Sequence, residues 1–226
     1  MSDTTRRRSQ AAIVAIAPAA LAATMLAHPY LPGRLPNNAA IAAAVAADTT
    51  RWGLVHLATG VASGLVILAF LALRSYLREA GEDRFSAFGV PFIVIGSTLF
   101  TLLPGMEFAP LAAAETGGDL TDIAAAQGTL VVWFVPVLAL GAFTFGIGVI
   151  AFVRAIAASG VLSTRLTALV GGALVVMAVS RFVPLAAVQF YVQGAAGIIG
   201  LWPLAYHMRT QPLARPAAGR RAASAA

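Results

Sequence analysis

Six stretches of about twenty mostly apolar residues, at 11–30, 52–73, 87–112, 128–153, 162–182 and 185–206, take up most of this 226-residue chain. An α-helix needs about 20 apolar residues to cross a hydrocarbon layer about 30 Å thick, and lipid leaves backbone groups no partner outside helices and closed barrels. The chain is 59% hydrophobic and 11% charged, with a mean hydropathy of +0.84. A soluble domain carries about 25% charged residues. The expected class is therefore an all-α integral membrane protein, a bundle of six transmembrane helices.

The arginines set the expected orientation. All fifteen basic residues are arginine. Arg6, Arg7, Arg8, Arg74, Arg78, Arg84, Arg154, Arg165, Arg209, Arg215, Arg220 and Arg221 fall on one set of alternate connections, and only Arg34, Arg51 and Arg181 on the other. The excess of 12 over 3 predicts both termini in the cytoplasm and the bacterial inner (plasma) membrane as the location. The expected parts are a basic cytoplasmic N-terminus (1–10), a six-span membrane domain (11–209) and a disordered cytoplasmic tail (210–226). The N-terminal stretch also resembles a signal peptide; an uncleaved first span is the expectation. Alanine-rich residues 38–48 predict a short helix lying on the outer surface. A basic chain can bind nucleic acid, but arginines flanking apolar spans fit membrane topology, so no nucleic-acid partner is expected.

Composition also excludes chemistry. With no lysine, retinal and pyridoxal Schiff bases are impossible; with no cysteine, so are disulfides and thiolate metal sites. Gly60-x-x-x-Gly64, the Gly194, Gly197, Gly200 series, and Gly146, Gly148, Gly171 and Gly172 read as helix-packing positions. Trp52, Trp133 and Trp202 fall near span ends, as interfacial aromatics do.

The polar residues inside the spans gather at one depth. His28 ends the first span, His56 lies one turn into the second, Glu107 is near the end of the third, and Gln127 begins the fourth. Arg181 ends the fifth, and Gln189 and Gln193 lie one turn apart in the sixth. Alternating helix directions put all of them in the outer layer. His56, Thr59 and Ser63 share one helical face. The carboxylate in "LFTLLPGMEFAPLAAAE" (99–115) is thereby expected to face a polar pocket between helix ends. Glu107 at the headgroups is the plainer alternative, and Arg181 is either its ion-pair partner or a headgroup anchor.

A carboxyl enclosed by apolar groups favours its neutral form, and a neutral carboxylic acid can protonate an alkene or an epoxide. The expected function is a membrane-embedded enzyme, of cyclase or isomerase type, acting on a lipid or isoprenoid-like substrate by proton transfer. Its catalytic residues would be Glu107, His56 and Arg181. Its substrate-binding residues would be Trp133, Gln127, Gln189, Gln193, Tyr191, Thr59 and Ser63, with Phe134 and Phe190 as further aromatics able to face a cation. The expected partner is a membrane lipid or hydrophobic small molecule. No cofactor or metal is required by this reading. Two alternatives stand beside it: a non-enzymatic lipid-binding or complex subunit, and a haem or metal protein using His28, His56 and Glu107.

With "WGLVHL" opening the second span and an acidic residue ending the third, the chain resembles small six-span membrane proteins of high-GC bacteria that have no assigned activity. That resemblance implies the six-span fold and no chemistry. In size and site type the chain is similar to membrane-bound terpene cyclases and sterol isomerases.

Overall fold

The computed structural model describes residues 3–211. The tail expected to be disordered lies, from residue 212 onward, outside the described residues, as do Arg215, Arg220 and Arg221. The helices are α1 (Asp3–Ala27), α2 (Asn38–Ala47), α3 (Thr49–Glu79), α4 (Arg84–Met106), α5 (Phe108–Glu115), α6 (Leu120–Ser159), α7 (Thr164–Val179) and α8 (Gln193–Thr210). A 3-10 turn (Ser180–Phe182) and a π-helical segment (Ala187–Val192) join the last two. Five helical stretches are long and apolar enough to cross a membrane: Thr4–Ala27, Thr49–Glu79, Arg84–Glu115, Leu120–Ser159 and Thr164–Phe182. The chain is a helical membrane protein by that measure.

Local chemistry places the helix ends. Asp48 closes α2 and starts α3, its carboxylate accepting from the Arg51 amide. Asp119 and Asp122 form a reciprocal capping box at the start of α6, and Gly160 ends that helix in the left-handed region at φ 63°. Several boundaries differ from the sequence reading. Helix α1 starts at Asp3, well before the expected start of the first span at residue 11, and α6 begins at Leu120, so Gln127 lies two turns inside it. The alanine-rich stretch is a helix as expected, but Ile41, Ala42 and Val45 are buried beneath it.

The long helices form a closed ring in chain order. α1 packs on α3, α3 on α4, α4 on α6, α6 on α7, α7 on α8, and α8 returns to α1. The ring's centre is filled by Phe70, Phe145, Phe152, Leu174 and Met177, all fully buried. The closest approach is between α4 and α6. A Cβ on Gly96 would lie 2.5 Å from the Phe145 amide nitrogen, and one on Gly148 would lie 2.8 Å from that of Ile93. Glycine at both positions lets the backbones touch. Gly64 and Gly146 have nothing within 4 Å, so the Gly60-x-x-x-Gly64 pair is not a tight helix contact.

The two ends of the ring differ. At the basic end, Arg6 and Arg7 pair with Glu79 at 2.8 and 3.3 Å, and Arg74 pairs with Asp83 at 2.9 Å. The opposite end is capped by α2 and α5, whose apolar faces close over Leu31, Trp52, Ile123 and Ala186. There the 28–37 loop is tied down by the Leu35 amide, which donates to the Pro184 carbonyl at 2.9 Å.

Candidate functional site: a polar-walled cavity under the capped end

Glu107 sits at a break in helix. Pro104 leaves the Phe100 carbonyl inside α4 without its donor, and Pro110 lacks the N–H that would bond the Met106 carbonyl and carry α4 on into α5. The chain turns at Glu107, between Met106 and Phe108. The Glu107 carbonyl, at the start of α5, also accepts from Trp52 Nε1 at 3.0 Å, which fixes α3 against the break. The Glu107 side chain is buried; its Oε1 accepts from Gln127 Nε2 at 3.2 Å and its Oε2 has no partner.

Arg181 is on the 3-10 turn that ends α7. Its residue is 3% exposed, and its guanidinium lies 3.8 Å from the Phe145 ring centroid and 4.3 Å from that of Phe100. The Nε and Nη1 atoms make no hydrogen bond. Among the described residues Arg181 forms no ion pair. Both sequence expectations for it are therefore corrected: it is too buried to anchor headgroups, and it is not paired with Glu107. Two aromatic rings hold the cation instead, and their quadrupoles leave its N–H edges free.

These groups wall one cavity of about 250 Å³. His28, His56, Thr59, Glu107, Arg181, Gln189 and Gln193 all line it. The rest of the wall is apolar, including Trp52, Phe100, Leu103, Phe134 and Phe190. Gln193 is fully buried with neither amide atom paired. Gln189 Nε2 donates to the Arg181 carbonyl at 3.2 Å, holding the 3-10 turn against the π-helical segment. Val135 and Phe182 also line the cavity while being 44% and 53% exposed, so it reaches the outer wall of the bundle beside α6.

The two histidines meet. His56 Nδ1 donates to the Trp52 carbonyl at 2.6 Å and His28 Nδ1 to the Pro29 carbonyl at 2.7 Å, since a carbonyl only accepts. Their Nε2 atoms lie 3.4 Å apart. Trp52 and Phe190 flank the pair, with ring centroids 4.3 Å from His56 and 4.6 Å from His28 respectively.

All three expected catalytic residues, Glu107, His56 and Arg181, thus share one cavity. Of the expected substrate-binding residues, Thr59, Gln189 and Gln193 line it, and Gln127 reaches it through Glu107. Ser63 is buried one turn deeper and donates to the Thr59 carbonyl at 2.9 Å. Trp133 is 66% exposed on the outside of the ring, and Tyr191 lies on the opposite side of its helix, toward α7; neither lines the cavity. Their sequence neighbours Phe134 and Phe190 line it instead. Trp52, expected at the membrane interface, is 1% exposed in the site wall. Its signal was present: it lies one turn before His56 on the same helical face.

No described protein family, no curated protein and no solved structure matches this chain.

Proposed function

We propose that the chain crosses a bacterial inner membrane six times, with both termini cytoplasmic and the cavity in the outer half. The sixth crossing would be the π-helical segment continued into α8. Together they give 24 helical residues (6 and 18), about 36 Å of helix. The arginine asymmetry supports the orientation.

In this reading the cavity takes up a lipid or isoprenoid-like amphiphile through the α6 side, and Glu107 transfers a proton to it. One observation carries the proposal: Glu107 and Arg181 line the same apolar cavity, and Glu107 Oε2 and Arg181 Nε and Nη1 are buried without partners. A buried polar atom without a partner is costly, and a ligand that supplies one removes the cost. Arg181 would hold an anionic or strongly accepting head. Glu107, as the neutral acid, would protonate a double bond of the tail, and Trp52, Phe100, Phe134 and Phe190 would face the cationic carbon. Loss of a proton from an adjacent carbon to His56, or back to Glu107, completes an isomerisation or cyclisation without net consumption of protons.

The test is conversion of a bacterial lipid and isoprenoid extract by purified protein, read by mass spectrometry. Glu107→Gln keeps the shape and the Gln127 contact but has no proton to give, and should abolish conversion. Glu115→Gln, at the far end of α5, should leave it intact. Equal activity of the two variants would remove the acid role. Retention of an amphiphile with no conversion by any form would leave the lipid-binding subunit as the function.

A further inference from the structure

His28 and His56 come from different helices and meet nitrogen to nitrogen in the cavity wall. Each spends its Nδ1 proton on a backbone carbonyl, at 2.7 and 2.6 Å. In the neutral rings, both Nε2 atoms then carry a lone pair and no proton. Two such acceptors 3.4 Å apart repel unless something positive lies between them.

The spacing selects what that is. A tetrahedral ion with metal–nitrogen bonds of about 2.05 Å holds two nitrogens about 3.35 Å apart. Neighbouring square-planar positions would put them at about 2.9 Å and opposite positions at about 4.1 Å, using the same bond length. Axial ligation of a haem also needs the opposite arrangement, with the macrocycle between the rings, and here the ring centroids are 5.0 Å apart in direct contact. The observed separation fits the edge of a tetrahedron. The carbonyl bonds to Nδ1 match the outer support that metal-binding histidines commonly have, which fixes the tautomer and presents Nε2 to the ion.

We propose that His28 and His56 bind a divalent transition ion of the zinc type through their Nε2 atoms, on the cavity wall. Among the described residues no third histidine, cysteine or carboxylate joins them. The protein would thus supply two ligands, one fewer than hold a catalytic zinc, and the other two positions would be held by water or by a ligand in the cavity. The inference goes beyond the acid–base reading and changes one of its assignments. A His56 bound to an ion accepts no proton, so Glu107 would both deliver and recover it.

The experiment is titration of the full-length protein, in detergent and freed of metal by chelator, with cobalt(II) chloride. Competition with zinc sulfate follows. Wild type should develop the intense visible absorption of tetrahedral cobalt(II) at one ion per chain, and zinc should bleach it. His28→Gln and His56→Gln should each weaken binding at least tenfold. His207→Gln removes the third of the chain's three histidines, far from the pair on α8, and should bind as wild type does. Wild type with no saturable cobalt absorption would overturn the proposal, as would loss of binding only in His207→Gln. A bridging N–H···N proton seen by nitrogen-15 NMR in metal-treated wild type would overturn it without needing any variant to fold. None of these readouts depends on enzymatic activity, so the acid–base reading can fail while this one stands.

Discussion

Replacing Arg181 by methionine should separate stability from ligand binding. The side chain is 3% exposed and lacks a carboxylate partner, so the folded protein carries an unpaired buried cation when the cavity holds no anion. Two effects oppose each other on removing it. The stacking on Phe145 and Phe100, at 3.8 and 4.3 Å, is lost, at about 2 kcal/mol for each desolvated cation–π contact. The cost of burying the charge is also lost, and exchange of buried ionic groups for well-packed apolar ones is commonly neutral or stabilising by about 1–4 kcal/mol. Methionine fills a similar volume, and the Gln189 bond goes to the Arg181 backbone carbonyl, so it survives. The two terms together leave a net destabilisation of between about 0 and 4 kcal/mol. Ligand binding should respond quite differently. Hydrogen bonds to a charged group contribute about 1.5–3 kcal/mol each, so loss of even one from Nε or Nη1 weakens binding about tenfold or more, and loss of both at least a hundredfold. Denaturant unfolding followed by tryptophan fluorescence in mixed micelles measures the first quantity. Mass spectrometry of lipid retained through purification measures the second. Lipid retention equal to that of wild type in the folded variant, or destabilisation well beyond about 4 kcal/mol, would refute the reasoning.

Three further outcomes are expected. Gly96→Ala puts a Cβ 2.5–2.7 Å from Phe145 backbone atoms, which cannot move without parting α4 from α6; it should destabilise the protein by about 1–3 kcal/mol in the same unfolding assay, whereas Gly64→Ala, with open space around it, should not. Trp52→Phe removes the Nε1–H bond to the Glu107 carbonyl, which keeps its bond within α5, and should cost about 0.5–1.5 kcal/mol, against under about 0.5 kcal/mol for an interfacial tryptophan. Topology reporters fused at residue 80 and at the C-terminus should both read cytoplasmic, and an outside reading at either would break the six-span arrangement.

The helical membrane class was legible because span length and charge depletion are averages over twenty residues and survive local error. The gathering of polar residues at one end of the bundle was legible too, since His56, Glu107, Gln127, Arg181, Gln189 and Gln193 are all marked by polarity in apolar surroundings. Rotation about each helix was harder. Trp133 and Phe134 differ by one residue, about 100° of helix, and only the second faces the cavity. The period was available: counted from Gln127, the positions four, seven, eleven and fifteen residues on make one face, and Phe134, Leu138 and Ala142 on it line the cavity. The same count from Gln193 favours Phe190 over Tyr191. The π-helical segment had no comparable signal. It depends on how the tied Pro184–Leu185 turn feeds into α8, a contact between residues about 150 positions apart in sequence. The meeting of His28 with His56 also arises only from the packing of α1 on α3.

The central claim is that the cavity at the capped end houses an amphiphile. It is tested most directly by native mass spectrometry of the intact protein released from gentle detergent, comparing wild type with Ala142→Phe. Ala142 is 1% exposed and lines the cavity, so a phenyl ring there occupies the space without adding charge. The account predicts wild type with one retained amphiphile of defined mass per chain, and Ala142→Phe without it although folded. Wild type carrying no such adduct, or both proteins carrying the same mixture of bulk membrane lipids, would contradict it.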